Sequence, residues 1–181
     1  MSVKYIGKLL ISFACIFFIS CVNKEQNKLI QQLDYTIEIN NNSYKEIHAL
    51  NFDSLKIIHD SIKYYNQILG QKNFSKRIKS NEFDIINEFI LLENSLKAFI
   101  IFDYKKLINK LKFRRLQLEN LKKDVINNYE RIDNLEEYVK LEDSLMKILA
   151  NEINENIISL KQHKRNFYRY HQDIEKLSKR H

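Results

Sequence analysis

Proline is absent from these 181 residues, and glycine occurs only twice, as Gly7 and Gly70. Sheet folds reverse direction every ~8–12 residues and rely on those two residue types to do it, so all-β and α/β architectures are excluded. The same scarcity leaves no glycine-rich loop to cradle a phosphate and no sharp turn to present a nucleophile. Histidines stand at 48, 59, 163, 171 and 181, never in the His-x3-His or His-Glu-x2-His spacing that brings two ligands to one ion. No catalytic residue, metal site or cofactor is therefore expected, and the chain reads as a protein that does not work as an enzyme.

What is present is a long helical repeat. From Tyr104 an apolar residue returns every seven positions, through Leu111, Leu118, Val125, Ile132, Val139, Met146, Ile153, Leu160 and Phe167 to Ile174. With that column as heptad position a, position d is about half apolar or aromatic (Leu107, Leu121, Leu135, Leu149, Tyr170, Leu177) and half polar (Arg114, Asn128, Glu142, Asn156, His163). One apolar seam beside a half-polar one marks amphipathic helix packed in coiled-coil fashion. Before it, Ile30, Leu33, Ile37, Tyr44 and Ile47 mark one face of a first helix. After a slip, Leu55, Ile58, Ile62, Tyr65 and Leu69 continue that face. Asn40-Asn41-Asn42-Ser43 is the expected weak point, because such side chains compete for the backbone. Gly70 is the expected helix stop, and Asn81 the expected cap of the next helix.

Between 83 and 102, 13 of 20 residues are apolar. A single stripe about 100° wide cannot hold Ala98-Phe99-Ile100-Ile101-Phe102, so this helix must have neighbours on more than one side.

Net charge is +7, and its distribution says more than its sum. Positions 105–123 hold eight Lys and Arg against Glu119 alone, whereas 130–155 hold eight acids against three bases. Positions 82–103 are net acidic and 161–180 net basic. A fold-back at Asn127-Asn128 lays each block beside its opposite, and blocks of this size set orientation by penalising the wrong pairing. The expected fold is all-α: an elongated antiparallel three-helix bundle with coiled-coil packing, its helices spanning about 25–69, 82–126 and 129–178. The alternative is one unbroken helix from 82 to 178, paired antiparallel with a second copy.

The amino terminus carries its own signal. Lys4 and Lys8 precede an apolar run from Leu9 to Ile19, and then come Phe18-Ile19-Ser20-Cys21 and the polar Asn23-Lys24-Glu25-Gln26. Eleven helical residues span only about 16 Å, too short to cross a bilayer and the right length for the apolar part of a signal peptide. The four residues ending at Cys21 resemble the lipobox of bacterial lipoproteins, with Phe18 where leucine is usual. The resemblance implies cleavage before Cys21, acylation of its thiol and its new amino group, and a membrane anchor made of acyl chains such as palmitate. Residues 1–20 would be signal peptide, 21–24 the attachment point and short tether, and 25–181 the helical domain. Cleavage would lower the net charge to +5, remove Cys15 and leave no thiol for disulfide chemistry. Together with the Asn/Lys/Ile-rich composition, this segment also resembles the surface lipoproteins of spirochaetes, with those of Bacteroidetes as a second possibility. That implies an extracytoplasmic location, expected at the outer membrane.

Two places could meet a partner. The segment 71–80 carries Lys72, Lys76, Arg77 and Lys79 against no acid, a charge pattern suited to anionic polysaccharide or lipid head groups. Arg165, Tyr168 and Arg169 interleave cations with aromatics, the residue set of interface hot spots and of base-stacking surfaces. Against this, Phe167 and Tyr170 fall at core positions a and d, which would leave the rest as a solvated face. Nucleic acid is disfavoured by the extracytoplasmic location. The reading is a lipid-anchored helical binding protein with a protein or polysaccharide partner, either a surface adhesin or an envelope-internal scaffold, as monomer or antiparallel homodimer.

Overall fold

The computed structural model describes residues 3–71, 79–127 and 132–179, and the side chains of 24–70, 79–127 and 134–179. Cys21, Lys72, Lys76, Arg77 and Asn128 therefore lie outside the side chains described. Among the described residues every regular element is helical: α1 (Val3–His48), α2 (Phe52–Gln71), α3 (Ser80–Ala98), a π-helical segment (Phe99–Asp103), α4 (Tyr104–Asn127) and α5 (Ile132–Ser178). The chain divides into two compact units, Met1–Asn42 with Leu111–Ala150 and Ser43–Lys110 with Asn151–His181.

The first unit is a three-helix bundle. Leu29 and Leu33 of α1, Leu118 and Val125 of α4, and Leu135 and Val139 of α5 form one buried cluster, with Ile30, Ile37 and Leu121 at its margin. Each such side chain contributes roughly 1.5–3 kcal/mol when fully buried, far more than any surface pair. Helix directions follow from the polar contacts. Gln26 donates to the Val125 carbonyl at 2.7 Å and Asn40 to the Leu111 carbonyl at 3.0 Å, so α1 runs antiparallel to α4. Arg114 Nη1 meets Glu142 Oε2 at 3.0 Å across the α4/α5 seam, and because α4 ends at Asn127 and α5 starts at Ile132 in the same bundle, these two are antiparallel as well. Gln26 also fills a helix-end need, because the last carbonyls of α4 have no partner within the helix.

The basic block 105–123 does face the acidic block 130–155 within one chain, through Arg114–Glu142 and, in the second unit, Lys110–Glu152 at 2.6 Å. The unbroken helix from 82 to 178 therefore does not form: α4 stops at Asn127 and α5 starts at Ile132. Part of the basic block is answered by α1 instead, where Lys122 pairs with Asp34 and Arg115 donates to Asn41. For the other pair of blocks an aromatic contact joins the two. Phe89 of α3 stacks on Phe167 of α5 with centroids 6.0 Å apart, while Lys176–Asp173 and Lys179–Glu175 pair along α5 itself.

Four local expectations are corrected. Asn40-Asn41-Asn42-Ser43 does not break α1. The buried face of that helix is Leu29, Leu33, Thr36, Asn40, Ser43 and Ile47, with three polar residues in a row at core spacing. Asn40 spends its two amide protons on Leu111 O and Met146 Sδ, and the Thr36 hydroxyl lies 2.9 Å from both Gln32 O and Asp143 Oδ1. Tertiary partners thus remove the competition with the backbone that these residues offer in isolation. The break falls instead at Ala49–Asn51, where Asn51 Oδ1 accepts from Ser54 N at 2.9 Å and caps α2. At the second correction, α2 runs one residue past Gly70, to Gln71. At the third, α3 is capped from Lys79, not Asn81, because Glu82 at the third helical position accepts from Lys79 N at 3.1 Å. The fourth is the start of the first helix, which is at Val3 and not near Glu25, so the helix passes through residue 21 without a break.

The second helix of the expected bundle is interrupted by the π segment, and register explains why. In α3 the buried seven-residue column is Phe89 and Leu96, which would next land on Asp103. In α4 the column is Tyr104, Leu111 and Leu118. One extra residue separates the two registers, and one turn of π-helix inserts one residue without breaking the helix.

The second unit packs α2 (Leu55, Ile58, Ile62, Leu69), α3 (Phe89, Leu92, Leu96) and α5 (Ile153, Leu160, Phe167, Ile174) around a buried core. Asn66 of α2 reaches Glu93 of α3 at 2.6 Å. Beside the break that precedes α2, Phe52 and Phe99 both pack on Tyr104, at 4.7 and 6.1 Å, and His48 lies against Tyr44 at 4.3 Å.

Candidate binding surface

In the second unit the gap between α2 and α5 is lined with rings. Ile57, Asp60, Ser61, Tyr64 and Tyr65 of α2, with His171 of α5, enclose an open recess of about 380 Å³. Their placement follows from helical spacing: 57, 60, 61, 64 and 65 are one face of α2, at intervals of three and four. Tyr64 and Tyr65 meet edge to face at 5.3 Å, and Tyr65 meets His171 the same way at 5.3 Å. His171 lies 4.9 Å from Phe167, which touches Tyr168 at 5.3 Å. A ladder of five rings thus runs from exposed Tyr64 to exposed Tyr168, held from beneath by Phe89 on Phe167. Aromatic pairs of this kind add ~0.5–1.5 kcal/mol each beyond area, so the ladder is held in place before any partner arrives.

The electrostatics are mixed. Burial, and then the Glu175 carboxylate, push the Tyr65 hydroxyl above its ordinary range. Lys179 holds Glu175 below the usual carboxylate range by hydrogen bonding, and is itself raised by that contact. Arg169 lies over the Tyr170 ring at 5.3 Å, and Arg165 donates to Gln162 at 2.7 Å.

Of the residues expected to meet a partner, Tyr168, Arg165 and Arg169 are exposed on α5, and Phe167 is a buried core residue beside them. Tyr170, expected in the core with Phe167, is half-buried. Lys79 caps α3 through its backbone, and its companions Lys72, Lys76 and Arg77 are outside the described residues. Tyr64, Tyr65 and His171 were missed as surface residues. The only signal was the adjacent Tyr64-Tyr65 pair, which places at least one ring outside the core stripe of α2.

A second feature of this unit is apolar. Phe83, Ile90, Leu91, Ile101 and Phe102 are between 42% and 67% exposed, on the side of α3 and the π segment away from buried Phe89, Leu92, Leu96 and Phe99. Among the described residues no group of His, Cys, Asp and Glu is arranged to hold a metal ion, and no helix is long and apolar enough to cross a membrane.

Fold and surface together define an all-α bundle protein that presents an aromatic face to solvent. No family model, no curated protein and no solved structure matches the chain.

Proposed function

We propose that this chain is a lipid-anchored, extracytoplasmic binding protein, held to a membrane by acyl chains on Cys21 and displayed at the cell surface as an adhesin. The observation that carries the binding role is the ring ladder from Tyr64 to Tyr168 with Arg165 and Arg169 beside it. Tyr and Arg are the residues that dominate interface energetics, and here they are exposed on a rigid helical scaffold. The surface suits a protein partner. The basic segment with Lys72, Lys76, Arg77 and Lys79 suits an anionic polysaccharide at a second contact.

Trypsin treatment of intact cells beside a lysed control tests the display. Cleavage on intact cells supports the adhesin. Protection until lysis would replace it with an envelope-internal scaffold, a reading favoured by one observation: α1 continues unbroken through residue 21 to His48, which leaves no flexible tether behind the anchor. The anchor has its own test, in which Cys21→Ala abolishes palmitate labelling and leaves uncleaved precursor. Continued labelling would sink the lipoprotein reading.

A further inference from the structure

We infer that the exposed apolar face of α3 and the π segment is the contact by which two copies of this chain pair. Phe83, Ile90, Leu91, Ile101 and Phe102 all lie in the second unit, on one side of one continuous stretch of helix. The opposite side is already filled by Phe89, Leu92, Leu96 and Phe99, so the composition that demanded neighbours on more than one side is only half satisfied within the chain.

Area supports a partner of this kind. Large apolar side chains offer roughly 150–250 Å² each, so five of them about half exposed present on the order of 500 Å². A standard interface takes ~800 Å² from each partner, a little over half of it apolar, which is close to what this face offers.

Charge selects the partner and its direction. The amino-terminal end of the face is bordered by exposed Asp84 and Glu88, and the carboxy-terminal end by exposed Lys97, Lys105 and Lys106. A second copy laid antiparallel puts each acidic end on a basic one, whereas a parallel copy stacks like on like. A two-fold axis near Asn94, in the middle of the face, makes the contact self-complementary, as isologous dimers require. It also sets the Asn94 amide beside its own copy, where donor and acceptor match, and a single polar residue in such a seam fixes register.

The test uses the full-length chain in its native membrane, with Asn94→Cys as the probe and Lys63→Cys, exposed on α2, as the control. A disulfide needs its two Cα atoms within about 7 Å, so mild oxidation should give a reducible dimer from the first variant and not from the second or the unsubstituted protein. Adding Phe102→Glu, or Leu91→Glu as a second variant, should cut the dimer yield at least tenfold. Both side chains are exposed, so the helical circular dichroism stays unchanged. Equal cross-linking from the probe and the control, or a yield indifferent to the two Glu substitutions, overturns the pairing. So does capture of a different protein by the Asn94→Cys variant, or a probe that stays monomeric, either of which assigns the face to another partner or to a lipid surface.

Discussion

Replacing Arg114 with Leu should destabilise the protein, and replacing Glu142 as well should restore it. Both residues occupy position d, each between two leucines of that column, Leu107 and Leu121 for Arg114 and Leu135 and Leu149 for Glu142. They meet at 3.0 and 3.2 Å through a single guanidinium nitrogen, with the side chains 24% and 16% exposed. Removing one member of a buried pair strands the other charge at a cost of ~3–5 kcal/mol. Residual water contact here brings the expectation to about 2–3 kcal/mol. With a urea m-value of ~2 kcal/mol/M, the unfolding midpoint of Arg114→Leu should fall by about 1–1.5 M. The double variant Arg114→Leu/Glu142→Leu places two leucines in a leucine seam. It should lie within ~1 kcal/mol of the parent or above it, because desolvating the ion pair offsets most of its attraction. The assay is helical circular dichroism against urea for parent, both single variants and the double. A double variant as unstable as either single, or a single variant that unfolds at the parent's midpoint, would refute the view that these residues matter chiefly to each other.

Other variants probe the remaining links. Asn40→Ala should cost about 2 kcal/mol, since it leaves a gap beside Met146 and removes a buried hydrogen bond, whereas Asn41→Ala should cost under ~0.5 kcal/mol; parallel urea titrations distinguish them. Lys110→Ala removes a half-exposed pair with Glu152 and should cost under ~1 kcal/mol, shrinking further as salt rises, which a melting series at two ionic strengths reads directly. His163 sits at a d position where burial lowers its pKa, so the folded state binds this proton less readily than the unfolded chain. Its neutral form is present in both states above the ordinary imidazole pKa of ~6.5, and stability is lost as pH falls from there through the lowered folded value. His163→Leu should flatten that part of the melting temperature profile between about pH 7.5 and 5.5, the window around the ordinary imidazole value; an unchanged slope would show that other groups carry it.

Much of the fold was legible without coordinates, because burial in helices is a matter of period. The column from Leu111 to Ile174 is buried at Leu111, Leu118, Val125, Val139, Met146, Ile153, Leu160, Phe167 and Ile174, and the antiparallel sense of α4 and α5 followed from opposed charge blocks. The π segment was half legible. The repeat could be traced back no further than Tyr104, and that residue directly follows the π segment, which ends at Asp103. Local propensity misled at Asn40, where the partners that hold it, Leu111 and Met146, are over seventy positions away.

The sequence by itself determined the class and the seams: too few turn residues for sheets, a seven-residue repeat that buries one face, and charges that choose which helices lie side by side. Only the tertiary structure decided which polar core residues find each other, as Arg114 does Glu142 and Thr36 does Asp143. It alone assembled the ring ladder, since Tyr65 and His171 come from helices 106 positions apart. The reason is physical: periodicity fixes the side of a helix on which a residue lies, while pairing depends on the axial offset between helices, which the whole set of packed side chains sets together.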